Sequence, residues 1–178
     1  MITFRQLAVA LVLAVLGSSC NVVRMQARKT GKEFKNAGLV EHTFKGANGP
    51  MHVWAAPFTA KPKLMLVHGI TGSAAMWAVN AVPLSATYDL ILPDLIGHGR
   101  STGQWSGNSV DAQVAHLEAI LDSLKVQGAV YLAGSSYGGA ISANFAEQHP
   151  ERVRALVICD GPANGYTKAI ADSVARTL

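Results

Sequence analysis

The stretch Tyr131-Leu-Ala-Gly-Ser-Ser-Tyr-Gly-Gly-Ala140 constrains the fold more tightly than any other. Ala129 to Ala133 is a short apolar run of strand length. It stops at Gly134, and helix-compatible residues resume after Gly138 and Gly139. A chain that leaves a strand and enters a helix within so few residues must turn sharply, and glycine on either side removes the Cβ atoms that would collide. Such a junction holds Ser136 in a strained conformation with its hydroxyl presented. It also aims the free N–H groups of the following helix at any negative charge forming there. The same five residues equally fit an ordinary Gly/Ser-rich loop between strand and helix, so the rest of the chain has to decide.

At 178 residues there is room for one domain. Cys20 and Cys159 are too few and too differently placed for a disulfide framework, and no two of the six histidines stand at metal-ligand spacing. No metal and no cofactor are expected. The formal charge of +4 is local: Arg24, Arg28, Lys29, Lys32, Lys35 and Lys45 face only Glu33 and Glu41, whereas from Gly46 onward eight basic residues face nine acidic ones. No basic face interleaved with aromatics is visible, so nucleic acid is not an expected partner. The basic stretch reads as a solvated tether, attracted to anionic lipid where it lies near a membrane.

The first residues carry one arginine, and Leu7 to Leu16 is an unbroken apolar run followed by Gly17-Ser18-Ser19-Cys20. That order describes an export signal over residues 1–20. The run is shorter than the roughly 20 apolar residues of a transmembrane helix. Small residues leading to Cys20 also resemble a bacterial lipoprotein signal, in which this cysteine is lipidated and anchors the protein to a membrane. Gly17, however, stands where that motif expects leucine. Residues 21–37 have no apolar period and are expected to form a basic linker, with the folded domain over 38–178.

Leu39 to Lys45 and Met51 to Ala56 alternate weakly around Gly46-Ala-Asn-Gly-Pro50, which predicts a hairpin. Lys63 to Val67, Tyr88 to Leu92, Ala129 to Ala133 and Val153 to Cys159 are continuous apolar runs of buried-strand type. Between them lie a short helix expected over Ser73 to Val79, a helix carrying Val110, Val114, Leu117, Leu121 and Leu124 on one face behind Ser109 as N-cap, and a helix over Gly139 to Gln148. In that second helix Gln113 is assigned to the polar side. The third presents Gly139, Ala140, Ala143 and Ala146 as its close-packing face. Buried strands alternating with helices predict an α/β fold with a mostly parallel sheet covered on both faces and a hairpin at one edge. The glycine-rich loops after Val67, Leu92 and Ala133 all follow strand carboxyl ends, where working residues of such sheets gather.

With those three loops the chain resembles the α/β-hydrolase superfamily, most closely its small esterase, lipase and aminopeptidase-like members. His68-Gly69, Asp94-x-x-Gly97-x-Gly99-x-Ser101 and Gly134-x-Ser136-x-Gly138-Gly139 stand in the family's order, and the likeness runs from about Leu39 to Pro162. The resemblance implies Ser136 as nucleophile, the N–H groups of Ile70 and Tyr137 as oxyanion donors, and a small-molecule acyl substrate: ester, thioester or amide. It gives His68 a bracing role and Asp94 a structural one. His98, Arg100 and Trp105 are candidates to touch substrate, with surface or packing roles the simpler reading.

The family's order of nucleophile, acid and histidine is not completed. After Ser136 the only histidine is His149, and Asp160 is a weak candidate for the acid. The expectation is therefore the N-terminal part of such a fold, through about its sixth strand, with Asn164 to Leu178 as the start of a cap. The chain alone is expected to be nearly inert, with an exposed sheet edge through which it self-associates. The alternative is a hydrolase-like binding or scaffold protein that works without catalysis.

Overall fold

Period-two alternation sets the architecture. The computed structural model describes Met25, 28–103 and 109–160. In β3 (Lys63–Val67), Leu64 and Leu66 join one apolar cluster while Met65 and Val67 join another. β4 (Asp89–Pro93) divides in the same way, with Leu90 and Leu92 on one face and Ile91 on the other. Apolar residues on both faces need covering on both faces. Helices α3 (Val110–Ser123) and α4 (Tyr137–Gln148) cover one, while α1 (28–36) and α2 (Ala78–Ser85) cover the other.

The sheet has six strands in the order β1-β2-β4-β3-β5-β6. β1 (Val40–Gly46) and β2 (Gly49–Ala55) form the expected hairpin, joined by Ala47 and Asn48, and β2 also runs antiparallel to β4. The pairs β3/β4, β3/β5 and β5/β6 are parallel, with β5 spanning Val130–Ser135 and β6 spanning Val153–Cys159. From β3 the chain moves outward to β4, then returns past β3 to place β5 on its other side. The helices following β3 and β5 therefore lie on opposite faces, and a crevice opens between the carboxyl ends of these two strands. That reversal is where open α/β sheets bind ligands.

Four local expectations are corrected, the last in part. Part of the basic linker, 28–36, is helical: Phe34 is buried and its ring lies 5.2 Å from that of Trp54. One aromatic anchor suffices to dock this helix, and one anchor leaves no period to read. The short helix after β3 is a 3-10 turn, Ala74–Trp77, continued by α2 with Pro83 inside it. Gln113 is fully buried, not polar-facing. In α4, Gly139 and Ala140 are buried as expected, but Ala143 and Ala146 are only half-buried, and Ile141, Ser142 and Phe145 complete the buried side. Leu7 to Leu16, Cys20, Trp105 and Asn164 to Leu178 lie outside the described residues. Among those that are described, no helix is long and apolar enough to cross a membrane.

β6 is an edge strand among the described residues, and Val157 and Ile158 on its opposite faces are 57% and 42% exposed. Apolar side chains beside unpaired backbone groups invite strand pairing with another copy. The purified chain is expected to sediment as oligomers, and Val157→Lys to shift it toward monomer. A wild-type monomer with a cooperative melt would sink this expectation.

Candidate active site

The elbow after β5 carries the strain its glycines imply. Ser136 has φ 50° and ψ −118°, a region that costs a residue with a Cβ roughly 1–3 kcal/mol. Three hydrogen bonds hold it there. Its N–H donates to the Cys159 carbonyl at the end of β6 (3.0 Å), and its own carbonyl accepts from Gly139 and Ala140 N–H (2.9 and 3.2 Å). The flanking glycines are steric necessities. A Cβ on Gly134 would stand 2.3 Å from the Gly138 carbonyl oxygen, and one on Gly138 would stand 2.4 Å from the His68 oxygen. α4 thus starts in direct backbone contact with the end of β3.

That contact brings the loop after β3 to the serine. A Cβ added to Gly69 would lie 3.5 Å from Ser136 Cβ, so the two loops touch. The Gly69 carbonyl accepts from His68 Nδ1 (2.7 Å) and from Gly72 N–H (3.1 Å), closing a turn with Thr71 at φ 59°. In a trans peptide N–H and C=O point in opposite directions. Fixing the Gly69 oxygen therefore turns the Ile70 N–H the other way, and among the described residues it has no acceptor. Tyr137, the second expected donor, is the first residue of α4, where an N–H has no intrahelical acceptor.

His68 is wholly buried and locked at both nitrogens. Its Nε2 accepts from Leu95 N–H (3.0 Å), so its proton sits on Nδ1, the nitrogen that faces Gly69. Burial lowers its pKa to about 4, against the opposing pull of the Gly69 hydrogen bond and the Asp94 charge. A neutral imidazole committed in this way braces the loop.

The loop after β4 is organised by Asp94. Its carboxylate accepts from Ala74 N–H (2.7 Å), Arg100 N–H (2.9 Å) and His52 Nδ1 (2.8 Å). Burial alone would raise the pKa of this carboxyl, but the hydrogen bonds from His52, Ala74 and Arg100 outweigh burial and hold it below the usual range. Gly97 and Gly99 both have positive φ, and a Cβ on Gly99 would stand 2.2 Å from Asp94 Oδ2. Ser101 Oγ donates to the Asp94 carbonyl (2.8 Å) and accepts from His52 N–H (2.9 Å). These bonds account for the whole Asp94–Ser101 motif.

Several supports were not singled out from sequence. His52 reaches from Asp94 to Glu41 Oε1 (2.8 Å), Gln113 bonds both backbone groups of Ile96, and His116 Nε2 donates to the Asp94 carbonyl (2.9 Å). Burial lowers the His116 pKa as well. Gln113 follows Val110 by three residues and precedes Leu117 by four, so helical spacing alone could have placed it inward. The link from His52 to Asp94 spans 42 residues and left no local signal.

The remaining candidates fall outside this cluster or at its rim. His149 caps the far end of the 12-residue α4, against Glu118 (3.3 Å) and the Phe145 ring, about 20 Å along the axis from Ser136. Asp160 follows β6 with φ 56° and an exposed side chain, one residue beyond the carbonyl that holds the Ser136 N–H. The His98 ring packs 5.4 Å from that of His68, and Arg100 pairs with Glu41.

A six-stranded mixed sheet with an elbow serine at its topological reversal defines the α/β-hydrolase class, and comparison with known proteins agrees. The family model described as alpha/beta hydrolase fold matches residues 62–174, and the chain belongs to this family. It is 34% identical over 116 residues to Lipase LipV of Mycobacterium tuberculosis, covering 62% of this chain and 41% of that protein. Lipase 3 of a Moraxella species is 29% identical over 142 residues, covering 78% of this chain and 42% of that lipase. The crystal structure of a membrane phospholipase A, a bacterial virulence factor, superposes with a TM-score of 0.71 at 30% identity, covering 88% of this chain and 51% of that one. The chain thus spans less than half the length of these two lipases.

Two stability measurements follow. His68 has a folded pKa below its unfolded value of 6.5, so between these values the unfolded chain binds the extra proton. Stability is then full above about pH 6.5 and is lost as pH falls toward 4, by roughly 3 kcal/mol for this group alone. His116 acts in the same direction within this window and Asp94 only below about pH 3.8, so urea melts between pH 6.5 and 4 should show a shallower slope for His68→Gln. Separately, Gly138→Ala is expected to cost about 1–3 kcal/mol, because backbone must move to admit the methyl group. Gly31→Ala, with nothing within 4 Å, serves as the control that is neutral or stabilising.

Proposed function

We propose that this chain carries the nucleophile half of a serine hydrolase that transfers the acyl group of an ester, thioester or amide to water. The observation that carries this reading is the strained Ser136 at the carboxyl end of β5, held in contact with the Gly69-Ile70 loop. In this reading Ser136 Oγ attacks the carbonyl carbon and the carbonyl oxygen becomes an oxyanion facing the N–H groups of Ile70 and Tyr137. The alkoxide, thiolate or amine leaves, and water then cleaves the acyl-serine. Loss of one such donor typically costs about 10²–10³ in rate. The lipase and phospholipase names of the relatives favour a carboxylic ester of a small amphiphilic molecule. We extend the proposal to the N-terminus: Leu7 to Leu16 serves export, and Cys20 is the lipidated anchor.

A serine hydroxyl needs a base as it attacks. His68 has both nitrogens committed, His52 faces two carboxylates, His98 donates Nδ1 to the Ile96 carbonyl, His116 bonds the Asp94 carbonyl, His42 stacks on Phe44 in the edge strand β1, and His149 lies a helix length away. In the proposed reading the base is supplied from outside these 178 residues, and Asp160, directly after β6, is the candidate acid. Losing the base costs up to about 10⁶ in turnover, with a residue of roughly 10³–10⁴ over water left to the oxyanion hole and binding. The same commitment of the histidines supports a second reading, a non-catalytic hydrolase-like binding protein.

A fluorophosphonate probe tests both. The chain is expected to label slowly and at Ser136 alone, with no labelling in Ser136→Ala. Labelling as fast as an intact serine hydrolase, abolished by that substitution, would overturn the near-inert state. Labelling unaffected by Ser136→Ala would remove the nucleophile assignment, and no labelling at all would favour the binding protein.

A further inference from the structure

Between α1 and the outer side of the loops after β3 and β4 lies a groove of about 1090 Å³. Arg28, Lys32 and Lys35 line it from α1, spaced by four and three residues and so sharing one helical face. Phe34 and Trp54 supply apolar wall. Two carboxylates border the groove, but both are engaged in place. Glu41 pairs with Arg100, and Asp94 accepts from His52 Nδ1 and two backbone N–H groups. Arg28, Lys32 and Lys35 are exposed and have no ion-pair partner among the described residues. With Arg100 set against Glu41, the three α1 cations outnumber the one remaining carboxylate, Asp94, and the groove offers a net positive lining above a partly apolar wall.

An anion with an apolar body fits that combination, and a bare anion uses only half of it. The sequence adds a direction: the basic cluster follows the apolar run Leu7 to Leu16, so the same end of the chain carries both features. We propose that this groove binds the phosphate head group of an anionic phospholipid, with α1 as the contact helix. The site is separate from Ser136, and it does not depend on whether that serine reacts.

Partitioning of the full chain between buffer and vesicles tests the proposal. Vesicles of phosphatidylcholine alone measure insertion by the apolar N-terminus, and the increment on adding phosphatidylglycerol measures the groove. The triple variant Arg28→Gln, Lys32→Gln, Lys35→Gln is expected to lower that increment by about 10²-fold, at roughly fivefold per basic residue near an anionic surface. Lys29→Gln, Lys45→Gln, Lys125→Gln removes the same charge away from the groove and is expected to leave most of the increment. Lys32→Arg with Lys35→Arg, which keeps the charge, is expected to retain it and guards against a folding artefact. Equal losses in the two triple variants would mean diffuse attraction and overturn the site. So would an increment of zero. Displacement of the phosphatidylglycerol-dependent part by inorganic phosphate at constant ionic strength would mark a free-anion site and overturn the lipid assignment.

Discussion

The Asp94 carboxylate is the interaction on which the candidate site depends. It gathers one N–H from the loop after β3, one from its own loop, and a ring nitrogen from β2. A buried carboxylate is costly unless its oxygens are filled, and three donors fill them. Because those donors sit on separate segments, satisfying one charge fixes the relative position of three. His68 completes the tie by joining the start of the β3 loop to Leu95. The segment carrying Ile70 is thereby pinned at each end to the β4 loop, and its turn is left little freedom.

The elbow uses a different device. There the constraint is volume: backbone passes so close to backbone at Gly134 and Gly138 that no Cβ fits. Close packing of this kind is legible in a sequence, because it can be written only as glycine at fixed spacing. The glycines of the Asp94 loop are legible for the same reason, since positive φ and the approach of the carboxylate both exclude larger residues. Continuous apolar runs marked β3 to β6 and the serine cap marked the start of α3, so the sheet and two of its helices could be read directly.

What stayed hidden was held by single contacts or by pairs distant in sequence. α1 docks through Phe34 on Trp54, one side chain amid lysines, and composition there describes a tether better than a helix. α2 contains Pro83 and only Ala81 is buried within it, so neither propensity nor period announces it. Spacing from Val110 and Leu117 places Gln113 inward, but nothing in the sequence says which backbone it serves until the loop is in place, and the same holds for the partner of His116. Polar groups buried to satisfy a distant backbone leave no sequence trace of the partner they serve. The candidate site is where such groups collect.

One bond noted above bears on how the molecule is made. The N–H of Ser136 is held by the carbonyl of Cys159, which lies 23 residues later in the chain and on a different strand. During synthesis from the N-terminus, the sheet through β5 can pair before that carbonyl exists. The serine then occupies a junction with its strained conformation only partly restrained. Its N–H gains this partner only when the last described strand adds to the sheet, so one of the three bonds that hold the strained serine waits on β6.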